Sequence, residues 1–158
     1  VVEPRRRIVL GLGNILNRDE GLGVHGLEAL KRRLPPDAHF EALDGGVLGL
    51  ALLPLVENAS HLLLLDAVDA GKAPGTVIEL EGADIPLFFR AKLSWHQLGF
   101  QEVLELARAR GHFPERLHLV GAQPADISTG DTLSEVVAAA LPEVVERSLR
   151  VLERWRED

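Results

Sequence analysis

The chain has 158 residues, 46% of them hydrophobic, enough for one domain with a substantial core. Its net charge of −7 argues against general nucleic-acid binding. It has no cysteine, which removes disulfides, thiolate zinc sites and a cysteine nucleophile from consideration.

Taken in chain order, Ile8–Leu12 is an apolar run that predicts a buried strand. It enters the turn Gly11-Leu12-Gly13-Asn14, and the acids Asp19 and Glu20 follow just before a helical pattern. That helix is expected over Glu20–Leu34, with Leu27, Leu30 and Leu34 on one face. Lys31-Arg32-Arg33 lie at its C-terminal end, where cations suit the dipole, and Pro35-Pro36 stop it. Phe40–Leu43 predicts a short strand ending at Asp44-Gly45-Gly46. Leu48–Glu57 predicts a helix, kinked or shortened by Pro54. His61–Leu65, with four consecutive leucines, predicts a strand covered on both faces and ends at Asp66.

Beyond the turn at Pro74-Gly75, Thr76–Leu80 alternates like a strand, and one antiparallel strand is expected there. Ile85–Ala91 fits neither element cleanly. Leu98–Arg110 predicts a helix with Val103, Leu106 and Ala107 on its apolar stripe, Arg116–Val120 a strand, and Thr132–Trp155 one long helix or two meeting at Pro142. No linker or repeat divides the sequence, so a single domain over 1–158 is expected. Alternating helices and buried strands predict an α/β three-layer sandwich, a twisted, mostly parallel sheet of about five strands with helices on both faces. No apolar run approaches the ~20 residues of a membrane span, and no signal-peptide pattern opens the chain. The expectation is a soluble cytoplasmic protein without membrane insertion.

In a parallel sheet the strands' carboxyl ends share one edge, the usual place for chemistry in open α/β folds. Glu20 and Asp66 both follow such ends, and His96, in Ser94-Trp95-His96-Gln97-Leu98, precedes a helix and is within reach of them. Two carboxylates and an imidazole suit a divalent first-row metal, and equally general acid–base work. Taken one at a time, each has a plainer reading: a first-turn helix acid, a turn residue, a surface histidine. An acid placed directly after an all-apolar strand is costly without a partner, which raises the standing of Asp66. Asp69 reads as solvated. His25, His39, His61, His112 and His118 make no zinc-binding signature. A dinucleotide fingerprint would want a third glycine where Leu16 stands, and the two acids would repel a pyrophosphate. The Gly-x-Ser-x-Gly elbow of serine hydrolases is absent.

Five segments in order resemble the hydrogenase maturation proteases, endopeptidases that trim the C-terminus of the large subunit of nickel–iron hydrogenases. They are GLGNILNRDEGLGVHGLEAL (Gly11–Leu30), LDGGVLGL (Leu43–Leu50), ASHLLLLDAVDAGKAPGT (Ala59–Thr76), SWHQLGFQEVL (Ser94–Leu104) and HLVGAQP (His118–Pro124). The resemblance implies that Glu20, Asp66 and His96 are the catalytic, metal-contacting residues. It also implies that Asp44, Gly45 and Gly46 shape the substrate cleft, with Val47 standing where the family usually has Thr. It further implies that nickel is supplied by the substrate, with no permanently bound cofactor. The implied partner is the large-subunit precursor, cut after a His or Arg that follows its last metal-binding Cys motif, and the protease is expected to be a monomer. Two other functions stand beside it: a nickel-binding chaperone or inspection factor that docks without cutting, and a nucleotide-binding module.

Overall fold

The computed structural model describes residues 5–35, 39–85 and 95–158, with the backbone alone over 95–98. Five strands form one sheet: β1 (Arg6–Leu12), β2 (Glu41–Gly46), β3 (Ala59–Ala67), β4 (Val77–Glu81) and β5 (Arg116–Ala122). Their spatial order is β2-β1-β3-β5-β4. β2, β1, β3 and β5 are parallel, and β4 pairs antiparallel with β5. Among the described residues the helices include α1 (Leu22–Lys31), α2 (Leu53–Glu57), α3 (Trp95–Ala109) and α4 (Glu135–Trp155). The expected α/β sandwich is therefore the observed architecture, including the antiparallel strand near residues 76–80.

Period-2 alternation along the central strands sorts the core into two layers. Ile8, Leu10, Leu62 and Leu64 pack with Val56 of α2 and with Phe100, Val103 and Leu104 of α3. Val9, Leu63 and Leu65 point the other way, against Leu27 and Leu30 of α1 and Val144 and Leu152 of α4. Leu62 to Leu64 are fully buried because both faces of β3 are covered, and each such leucine contributes about 1.5–3 kcal/mol.

Several boundaries differ from the sequence expectation. The helix expected from Leu98 already begins at Trp95, so His96 lies within it rather than before it, and Leu106, expected on its apolar stripe, is exposed. The helix expected from Glu20 opens instead with a 3-10 turn, Arg18–Gly21, and α1 proper begins at Leu22. The helix expected over Leu48–Glu57 is a 3-10 turn (Gly49–Leu52) followed by the short α2, which has Pro54 in its first turn. There proline's fixed φ is compatible with a helix start. The strand expected to stop at Leu43 runs on through Gly46. The segment Thr132–Trp155 resolves as one helix, with Pro142 inside it and Ser134 at its N-cap. Most of Ile85–Ala91 lies outside the described residues.

α1 crosses β1 and β3 at very close range. A Cβ on Gly23 would sit 2.1 Å from the Leu65 carbonyl oxygen and 2.2 Å from that of Leu12. These are rigid backbone atoms, so Gly23→Ala cannot be accommodated by a side-chain rotation. It is expected to cost on the order of 3 kcal/mol of stability in equilibrium urea unfolding, whereas Gly82→Ala, where no atom lies within 4 Å, loses much less despite its positive φ.

The pole at the amino ends of the parallel strands is charged and self-paired. Arg6 pairs with Glu41, Arg110 with Glu57 and Arg116 with Asp158. Arg7 donates to the carbonyls of Trp155 and Asp158, and His61, buried against the Trp155 ring, lies 3.0 Å from the Asp158 carboxylate. This hydrogen bond from His61 holds the Asp158 carboxyl below its ordinary range, helped by the charges of Arg116 and Arg7.

Candidate active site

The carboxyl edge of the sheet is organised around Gly13. Its φ of +115° lies in the region that side chains avoid, and an added Cβ would stand 1.9 Å from the Glu20 carbonyl oxygen and 3.6 Å from the Asp66 Oδ1. The Gly13 amide also donates to the Gly46 carbonyl at 2.9 Å. One glycine thus touches the turn that carries Glu20, the carboxylate of Asp66 and the end of β2.

Asp66 is fully buried near the end of β3, opposite Gly121 of β5. By alternation it falls on the same side of the sheet as Leu62 and Leu64, the side covered by α3. Glu20 is half-buried, and its carboxylate accepts a hydrogen bond from Asn17 Nδ2 at 3.0 Å. Asp44, Gly45 and Gly46 form a bulge at the end of β2: Gly11 pairs with Asp44 and Leu12 with Gly46, leaving Gly45 as the extra residue. Asp44 is exposed and accepts the Gly46 amide at 2.8 Å, which fixes the bulge. Gly45 is buried over Leu10 and Leu12.

His96 is the second residue of α3, and its side chain lies outside the described residues. The helix itself starts at the right edge: Gly99 packs against Gly49, just beyond the end of β2, with a hypothetical Gly99 Cβ only 3.3 Å from the Gly49 Cα. The structure therefore brings the Glu20 backbone, the Asp66 carboxylate and the Asp44–Gly46 bulge close to Gly13, and starts the helix bearing His96 at that same edge. Among the described residues no three His, Asp or Glu side chains group closely enough to hold a metal ion.

A structural partner of the site was missed in the sequence. Asp19 is fully buried beside Glu20. Its carboxylate accepts the amides of Ala125 and Asp126, both at 2.9 Å, and both the amide and the hydroxyl of Ser134, both at 2.8 Å. Burial alone would raise its pKa, but these hydrogen bonds outweigh it and leave the carboxyl below its ordinary value. Asp19 thereby ties the turn carrying Glu20 to the loop between β5 and α4. Gly130 reinforces the tie: its amide donates to the Leu16 carbonyl and its carbonyl accepts the Arg18 amide. The remaining buried histidines are structural. His118 pairs with Glu79 across β5 and β4 at 2.7 Å, and His61 belongs to the opposite pole.

A family model described as hydrogenase maturation protease matches residues 24–151. The chain belongs to the hydrogenase maturation protease family. It is 43% identical over 152 residues to the hydrogenase expression/formation protein HupD of Rhizobium leguminosarum bv. viciae, covering 95% of this chain and 75% of that protein. It is 40% identical over 148 residues to the hydrogenase 2 maturation protease of Escherichia coli strain K12, covering 93% and 90%. Among solved structures, the hydrogenase maturating endopeptidase HybD from E. coli superposes with a TM-score of 0.89 at 40% identity, over 94% of this chain and 93% of that one. A hydrogenase 2 maturation peptidase from Thaumarchaeota archaeon SCGC_AB-539-E09 follows at 28% identity and a TM-score of 0.71, over 94% and 99%. The protein is accordingly a peptidase, and the fold expected from its sequence is the fold of its family. No helix among the described residues is long and apolar enough to cross a membrane.

Proposed function

We propose that this peptidase removes the C-terminal extension from the nickel-loaded precursor of a nickel–iron hydrogenase large subunit, and that Glu20, Asp66 and His96 recognise the nickel. The observation that carries the reading is the convergence on Gly13, which sets the Asp66 carboxylate and the Glu20 turn side by side at the carboxyl edge. Two carboxylates with an imidazole from the start of α3 make an oxygen- and nitrogen-rich set that suits a divalent first-row ion.

In this reading nickel arrives as part of the substrate and the protease holds no cofactor of its own. Glu20, Asp66 and His96 complete the ion's coordination, which admits loaded precursor and brings the extension into the cleft beside Asp44, Gly45 and Gly46. Nickel or a carboxylate would activate the attacking water, or nickel would polarise the scissile carbonyl; either way water adds to that carbonyl and a water proton passes to the leaving amine, so that one peptide bond breaks and one water is consumed. In the same reading the protease acts as a monomer in the cytoplasm.

Mass spectrometry of the precursor, with and without nickel, after incubation with the protein tests the whole reading. Loss of one defined C-terminal peptide from the loaded form alone is the expected result. Intact precursor that remains bound would make the protein a non-cleaving inspection factor. Equal cleavage of the nickel-free precursor would remove Glu20, Asp66 and His96 from metal recognition.

A further inference from the structure

Among the described residues eight large apolar side chains are exposed, and six of them stand on three loops. Ile15 and Leu16 follow β1, Val47, Leu48 and Leu50 follow β2, and Ile127 follows β5. All three strands are parallel, so these loops rise from the same edge as Glu20 and Asp66. Leu16 and Leu48 are each 61% exposed and Ile127 is 54% exposed, which is a large apolar area to leave in water.

The loops are fastened to one another. Gly13 donates to Gly46, Gly130 to Leu16, and Arg18 to Gly130, so three hydrogen bonds join the β1, β2 and β5 loops into one preformed rim. Within the rim itself charges are few, although the exposed carboxylates of Asp44 and Asp131 border it. Residues 14–18, 46–50 and 125–130 contain one cation and one anion, Arg18 and Asp126, and these pair with each other at 3.4 Å. The opposite pole, by contrast, is crowded with ion pairs. An apolar, charge-depleted surface is the composition of an interface core, and this one is continuous with the edge where a peptidase must receive its polypeptide.

We infer that this rim docks the folded body of the substrate protein, through an apolar, charge-poor patch flanking the segment to be cut. The inference rests on the proposed function for the identity of that protein, but not on the role given to nickel. Docking through the rim supplies affinity for the folded precursor apart from the metal, and it positions the extension over Gly13. A peptide carrying the cleavage sequence alone lacks this contact and is a poor substrate.

The test uses the variant L16S/L48S/I127S, whose changes lie on exposed loops. Two quantities are measured: KM for nickel-loaded precursor, and Kd for nickel-free precursor by titration. Both are expected to rise at least tenfold, about 1.4 kcal/mol, while Leu106→Ser, on the outer face of α3, changes neither. An unchanged Kd and KM in the triple variant would overturn the inference. So would sedimentation showing that wild type self-associates through the rim and that the triple variant loses only that association. Wild type that binds precursor without cutting it would sink the proposed protease substrate while leaving the docking surface standing, provided the triple variant still binds more weakly.

Discussion

Glu20→Gln and Asp66→Asn are each expected to reduce processing of the nickel-loaded precursor by ~100-fold or more, the scale of losing a group that acts directly on the reacting centre. The two substitutions keep size and shape, so the loss is one of charge and ligand strength rather than of packing. Glu20 is half-buried and its neighbour Asn17 remains a compatible partner for an amide, so Glu20→Gln unfolds at the same urea concentration as wild type. Asp66 is fully buried, and a neutral amide there is easier to desolvate than a carboxylate. The check is a time course of extension release, with urea unfolding of each variant alongside. Cleavage by both variants at the wild-type rate would show that the reaction is centred elsewhere.

Asp19→Ala should be the most destabilising polar substitution in the loop region. It removes one acceptor carboxylate and strands the amides of Ala125, Asp126 and Ser134 and the Ser134 hydroxyl. Unsatisfied buried donors cost about 1–3 kcal/mol each, partly relieved by water, so a total loss of about 3–5 kcal/mol is expected. Ser134→Ala removes only the hydroxyl and should cost about 1 kcal/mol. The pH dependence follows from the same geometry. The Asp19 carboxyl is lowered from the ordinary 3.8 in the folded state because its hydrogen bonds outweigh the desolvation that would raise it. The folded state therefore holds fewer protons than the unfolded one below neutrality. The stability due to Asp19 is fully present above the ordinary carboxyl value and is lost as pH falls through the lower, folded one. Urea midpoints measured from pH 6 downward should fall more steeply for wild type than for Asp19→Ala. Parallel slopes would show that Asp19 is not the group responsible.

The strands were legible in the sequence because their signals are local. Four leucines in a row after His61 and the apolar triplet Ile8-Val9-Leu10 state burial on both faces without reference to the rest of the chain. Boundaries were less legible. β2 extends through Asp44-Gly45-Gly46 because the bulge lets it keep pairing with β1, a contact that glycine-rich composition does not announce. The 3-10 turn before α1 has the same origin: Arg18–Gly21 is held by partners beyond its own helix, in the 125–134 region.

The placement of the candidate residues was legible in part for the same reason. Glu20 and Asp66 could be chosen from their places at strand ends, since parallel topology alone sends them to one edge. Asp19 could not, because its partners lie 106 to 115 residues further along the chain, and nothing near Asp19 distinguishes a buried anchor from a solvated acid. Gly13 was visible as a turn residue, but that one glycine meets three separate elements emerges only from the folded backbone.

The Asp19 anchor also sets an order of events during synthesis. Glu20 and Asp66 are both made within the first 66 positions, yet the Asp19 carboxylate that holds the Glu20 turn waits for Ser134. A chain that has exposed only its first three strands lacks the partners that hold the Glu20 turn in place. The turn that carries Glu20 therefore reaches its final anchorage only once the chain has emerged as far as Ser134, late in synthesis.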